Sequence, residues 1–166
     1  MSIGATLRER LRDVRAVGEL TFIAVRPAHG APMNVLDGVQ VIDGRGLEGD
    51  RATKTARPDG KRHVTLIQAE HLPVIAALVR RAEVHPTALR RNLVVRGINL
   101  VALKGLRFSI GDEVVLEGTG PCEPCSKMDE ALGEGGFHAM RGHGGITARV
   151  ICGGRISLGD SVRVRE

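Results

Sequence analysis

Tryptophan and tyrosine are absent, and the aromatic content is three phenylalanines, Phe22, Phe108 and Phe137, in 166 residues. A core built from this chain is therefore aliphatic, and a surface that stacks unpaired bases on aromatic rings is excluded as its main device. No specific nucleic-acid partner is expected. Long apolar runs are lacking as well: no window approaches the roughly 18 uninterrupted apolar residues of a membrane span. The opening stretch reads RERLRD where a secretory signal needs an apolar segment. The expectation is a cytoplasmic chain without membrane association. Cysteine is scarce, and the three present, Cys122, Cys125 and Cys152, have the wrong parity for a secreted disulfide framework. Thiol or metal chemistry is the better reading of them.

What is abundant is glycine, 22 residues, close to twice its usual share. With Val, Leu and Ile it points to a β-rich, turn-rich domain, since tight turns need the positive φ that glycine adopts without strain. Hydrophobic residues at 42% and charged residues at 26% are ordinary globular values, and the length suits a single domain with a real core. The excess of 24 Lys and Arg over 19 Asp and Glu is modest and spread along the chain.

Leu7, Leu11 and Val14 fall on one helical face, which predicts a short amphipathic helix over 6–17 as an N-terminal extension. The run ELTFIAVRP reads as a strand stopped by Pro27, VQVID as a second, HVTLI as a third and LVV at 93–95 as a fourth. Helical spacing runs from Gln68 to Arg81, with Pro73 tolerable in the first turn. Residues 105–117 (GLRFSIGDEVVLE) overlay 153–165 (GGRISLGDSVRVR) with six identities in thirteen positions. Each copy reads as a β-hairpin around a Gly-Asp turn, and two such hairpins suit a closed or nearly closed barrel.

Between these copies lies GTGPCEPCSKMDEALGEGGFHAMRGHGG, where the chemistry concentrates. Ser126 is placed to cap a helix over Lys127–Leu132, which sets Cys125 at its start with Lys127 nearby, an environment favouring thiolate, although Glu123 opposes it. Cys125 is the better nucleophile. A zinc site on this C-x-x-C pair would need Cys152, His138 or His143 to complete it, and a thioredoxin-type pair would normally sit near a βαβ unit. Both stay open beside a reactive or soft-metal-binding thiolate. Cys152, in the apolar run RVIC, reads as core.

The order GLEGDR, HVTLIQAEHL, LRRNLVV, LKGLRFSIGD, GTGPCEPCSKM, RGHGGITARV and GGRISLGD resembles the MOSC domain, the module at the C-terminus of molybdenum-cofactor sulfurases. The resemblance covers about residues 18–165. It implies a mostly β, barrel-like fold with a few short helices and a functional cysteine that carries sulfur or ligates molybdenum. Pro124-Cys125-Ser126-Lys127-Met128 matches the family's pattern, so that role falls on Cys125, with Cys122 an associated thiol. Arg90, Arg91 and Asn92 resemble the family's segment before a strand and are expected to hold the anionic pterin or its phosphate. Arg141 and His143 join them through proximity to the cysteine loop in sequence. The expected cofactor is the molybdenum cofactor (molybdopterin), without the pyridoxal phosphate of the larger sulfurases. The expected partner is a cysteine desulfurase as sulfur donor or an electron-transfer protein. The geometry expected is Cys125 more accessible than Cys152, at the mouth of a cleft lined by the loop at 133–145 and by at least one of Arg90, Arg91, Arg141 or His143.

Overall fold

Strict alternation writes the two longest neighbouring strands. In β8 (Val114–Pro121) Val114, Leu116, Gly118 and Gly120 are buried with half-buried residues between them, and in β9 (Ile146–Cys152) Ile146, Ala148 and Val150 do the same. The computed structural model describes residues 4–165. Its other strands are β1 (Gly18–Val25), β2 (Asn34–Leu36), β3 (Gly38–Ile42), β4 (Gly46–Leu47), β5 (Val64–Gln68), β6 (Leu93–Arg96), β7 (Arg107–Ile110), β10 (Gly154–Ser157) and β11 (Ser161–Val164). The helices are α1 (Leu7–Arg12), α2 (His71–Leu78), α3 (Lys127–Leu132) and α4 (Gly136–Met140). No helix among the described residues is long and apolar enough to cross a membrane.

Seven strands close into a barrel in the order β1-β6-β5-β9-β8-β7-β11, and β11 returns to β1 through Gly18↔Val162 and Glu19↔Ser161. β2 is an extra strand on the outside edge of β1, and β10-β3-β4 form a second small sheet. Every barrel pairing is antiparallel except β5 with β6. A parallel pair needs a long crossover, and the crossover here carries α2. Leu20, Ile23, Leu66, Leu93, Phe108, Ile110 and Leu116 fill the barrel together with Val39, Val41 and Ile156 of the small sheet. The next residues of β5 and β6, Ile67 and Val94, point outward into a second core with Ile75, Leu89, Met128, Leu132 and Met140. β5 is thus buried on both faces, and the second core fixes α3, and with it the cysteine loop, to the barrel wall.

Three sequence expectations change. The first Gly-Asp copy is a hairpin, with Ile110 opposite Val114, but β10 and β11 do not pair with each other. Both edges of β11 are taken by β7 and β1, so β10 turns away to β3. α1 ends at Arg12, held by a capping box between Thr6 and Glu9, and its Leu7 and Leu11 are 73% and 65% exposed, since only Val14 beyond the helix reaches the core. Cys152 is exposed, not core. Leu116 faces Val150 while Val115 faces Cys152, so Ile151 is an extra residue in a bulge. That bulge reverses the inward alternation of β9 before it reaches Cys152.

Candidate functional site

Two buried polar groups anchor the site. Arg26 follows β1, and Asp50 precedes a 3-10 turn over Arg51–Lys54. The Arg26 guanidinium forks onto Asp50, Nε to Oδ2 at 3.1 Å and Nη2 to Oδ1 at 3.0 Å, while its backbone N–H donates to Oδ2 at 2.9 Å. Ala52 N donates to Oδ1 at 2.9 Å. Asn92 Nδ2 donates to the same carboxylate at 2.8 Å and to Ala24 O at 3.1 Å, and its Oδ1 accepts from Thr65 N and Oγ1. Burial opposes ionisation of Asp50, but the hydrogen bonds from the Arg26 side chain and from the backbone of Arg26 and Ala52 outweigh it and hold this carboxyl below its usual value.

A depressed carboxyl contributes stability that is full above its unfolded pKa and disappears as pH falls through the folded value. Urea melts across a pH series are therefore expected to show a loss of stability below about pH 4. Asp50→Asn is expected to be destabilised at neutral pH by about 3–5 kcal/mol, because Arg26 stays buried without its counter-charge, and to lose this part of the acid dependence. A variant as stable as the parent at pH 7 would show that the ion pair does not hold the site.

Arg91 is 4% exposed, and among the described residues it has no carboxylate within ion-pair distance. It is satisfied by carbonyls: Nε donates to Gly144 O at 2.8 Å, Nη1 to Leu89 O at 2.9 Å and Nη2 to Cys122 O at 3.5 Å. Burial lowers its pKa, and the neighbouring Cys122 sulfur acts in the opposite sense. Cys122 is buried, with its N–H donating to Gly145 O at 2.9 Å. Both ends of the Cys122 peptide are thereby tied to the turn before β9.

Cys125 is exposed, directly before α3. Ser126 does not cap this helix with its side chain, because its own backbone is already helical at φ −56, ψ −26. The first turn closes on Cys125 instead, whose carbonyl accepts from Met128 N at 3.0 Å. Cys125 lines a cleft of about 540 Å³ with Arg26, Arg51, Arg62, Arg90 and Arg91. Lys127 also lines it and reaches His29 Nε2 at 3.3 Å, and Glu130 is its one carboxylate. An adjoining lobe of about 630 Å³ shares Arg26, Arg51 and Arg62, adds Lys54, and has no carboxylate in its lining. Arg90, in left-handed backbone at φ 56, donates to Ala31 O at 2.8 Å. Burial lowers its pKa first, and the nearby Arg26 and Arg51 add to the effect. Cations held this close are arranged for an anion.

Of the residues singled out in the sequence, Cys125, Arg90 and Arg91 line the cleft, Cys122 lies behind Arg91, and Asn92 is fully buried beneath Asp50. Arg141 and His143 are not in the lining, and neither is the rest of the loop at 133–145. Arg141 is exposed, while His143 bonds Ala139 O of α4 and packs edge-on against His71 of α2 at 5.4 Å, which turns its ring to these two helices instead of the cleft. Among the described residues no group of three His, Cys, Asp or Glu converges, so the C-x-x-C pair finds no further zinc ligand. Cys152 lies on another cavity beside Asp43 and Gly153. Arg26, His29, Arg51 and Arg62 were not singled out by the sequence. The signal available was Arg-Pro closing the first strand and Asp-Arg closing GLEGDR.

The family model for the MOSC domain matches residues 26–163. Among solved structures, YuaD from Bacillus subtilis is similar at TM-score 0.76 and 19% identity, over 91% of this chain and 97% of that one. YiiM from Escherichia coli is similar at TM-score 0.66 and 19% identity, over 89% of this chain and 70% of that one. YiiM from Geobacillus stearothermophilus gives 0.69 at 17% identity, over 90% and 75%. No curated protein matches the sequence. At these identities the likeness is one of fold.

Proposed function

The chain belongs to the MOSC-domain family, and from that premise we propose that it binds the molybdenum cofactor, with Cys125 as the protein's sulfur ligand to the metal. The observation that carries this reading is an exposed thiol at one end of a two-lobed cleft lined by arginines and almost free of carboxylates. Soft thiolate sulfur suits molybdenum, and a pterin that ends in a phosphate needs cations. The donor set fits both ends. Cys125 lines only the first lobe, whereas Arg51 and Arg62 line both and, with Lys54, would hold the phosphate. When bound, the cofactor supplies a redox-active metal able to remove an oxygen atom from a substrate such as an N-hydroxylated compound.

The chain's own contribution is binding and placement. Asp50 fixes Arg26 from behind and also caps the turn that presents Arg51. Arg91 fixes the carbonyl of Cys122, three residues before the ligand thiol. Electrons would come from a separate electron-transfer protein. Exposure of Cys125 also favours a second reading, in which it accepts sulfur from a cysteine desulfurase and carries it as a persulfide. That role leaves the cationic cleft without a use.

Metal analysis after production in a host that makes the cofactor tests the choice. Stoichiometric molybdenum is expected, and Arg51→Gln with Arg62→Gln is expected to weaken cofactor retention about 10-fold or more, the usual scale for charge-assisted hydrogen bonds to an anion. Metal-free protein carrying a persulfide mass on Cys125 would replace this reading with the carrier.

A further inference from the structure

Away from the cleft, α2 has an outward face that ordinary solvent exposure does not explain. No Lys, Arg, Asp or Glu occurs between His71 and Leu78. Ile75 and Ala76 are buried on the inner side, with Leu72 and Val79 packed against the same core. The outer side consists of Pro73, Val74, Ala77 and Leu78, all exposed, Val74 at 39% and Leu78 at 57%. A helix facing water is normally polar on that side. Charge is confined to the two ends and has opposite sign: Glu70 precedes the helix, and Arg80 and Arg81 follow it, all three exposed.

We propose that this face is a dimer interface between two copies of this chain, with the α2 helices antiparallel across a two-fold axis. The charge pattern selects this occupant. Antiparallel pairing centred near Ala76 sets Val74 of one copy against Leu78 of the other and Glu70 of one beside Arg81 of the other, twice over. Antiparallel helix dipoles add to the attraction. Local bonds keep both end groups in place without neutralising either: Glu70 Oε1 accepts from Gly97 N at 2.6 Å, and Arg81 Nη1 donates to Ala131 O at 3.3 Å. The exposed Leu7 and Leu11 of α1 do not make the same case. Arg8, Arg10, Arg12 and Arg15 surround them, so two copies of α1 would bring together mostly like charge. A face of four apolar side chains is small, so the dimer is weak and concentration-dependent.

Sedimentation velocity on the full chain over a concentration series reads this out. The parent is expected to rise toward twice the chain mass. Val74→Glu and Leu78→Lys are each expected to remain monomeric with an unchanged thermal melt, and the double variant V74E/L78K to recover the dimer, since position 74 meets position 78 of the second copy. Glu70→Arg is expected to weaken association and Glu70→Arg with Arg81→Glu to restore it, which gives a second reading should an apolar-face variant fold poorly. Leu11→Glu should have no effect. A parent that stays monomeric at the highest concentration overturns the proposal, as does a dimer that V74E and L78K leave intact or that Leu11→Glu abolishes.

Discussion

Cys125→Ser is expected to yield a folded chain that retains no molybdenum, with cofactor affinity lowered by more than the 10–100-fold typical of removing an outer-shell partner of a metal ligand, that is, by more than about 100-fold. Cys125 is exposed and lies in a loop, so the exchange of thiol for hydroxyl changes stability by no more than about 0.5 kcal/mol. Cys122→Ser is expected to behave differently. Its side chain is buried, and a hydroxyl there costs about 1–3 kcal/mol unless it finds an acceptor. Metal retention should fall only as far as the loop loosens. Metal content and urea unfolding measured on the same preparations separate the two variants. Complete loss of metal in both, with unchanged stability in both, would end the division of roles.

The second large effect is expected at Gly145. Its backbone is left-handed at φ 84, and a Cβ there would drive into the carbonyl oxygen of Leu66 and lie 2.8 Å from Ile67 Cα, both in the doubly buried strand β5. Gly145→Ala should cost more than about 3 kcal/mol. The same turn accepts the Cys122 N–H at Gly145 O and the Arg91 guanidinium at Gly144 O, so a shift of the turn also releases the cysteine loop. Gly142→Ala is the control. Gly142 is left-handed too, at φ 78, but has nothing within 4 Å of a Cβ, so only backbone strain of about 1–2 kcal/mol is expected. Equal destabilisation in the two variants would remove the close approach as the cause.

Much of the barrel was legible because period-2 burial is written directly into β8 and β9, and because Gly-Asp turns announce their own positive φ. The failures come from features that alternation does not encode. An extra residue in β9 reverses the facing of Cys152, and competition for the edges of β11 undoes the second hairpin. At the site, the cysteine pair and Arg90-Arg91 are local signals, visible as a motif. The remaining cationic wall comes from Arg26, just after β1, and from Arg51 and Arg62, near the two ends of the connection between β4 and β5. In one dimension an exposed arginine on a loop looks the same whether or not another faces it, so their convergence emerges only when β1, the turn after β4 and the approach to β5 fold together. Arg141 and His143 show the converse. Closeness to the cysteines along the chain did not bring their side chains into the cleft: the backbone of this turn bonds Cys122 and Arg91 through Gly145 and Gly144, while the His143 ring turns to Ala139 and His71.

Closure of the barrel through β1 and β11 has a consequence for synthesis on the ribosome. β1 emerges well before β11, and although β6 covers one edge of it at Glu19, the other edge of its Gly18–Glu19 end has no partner until Ser161 and Val162 have been made. β7 likewise waits for β11 along Phe108 to Ile110. While translation proceeds, the nascent chain can assemble an open, curved sheet but not a sealed one, and its unpaired rims stay available to other chains. β11 therefore acts as a latch, and the barrel stays open until residues 161–164 have left the exit tunnel.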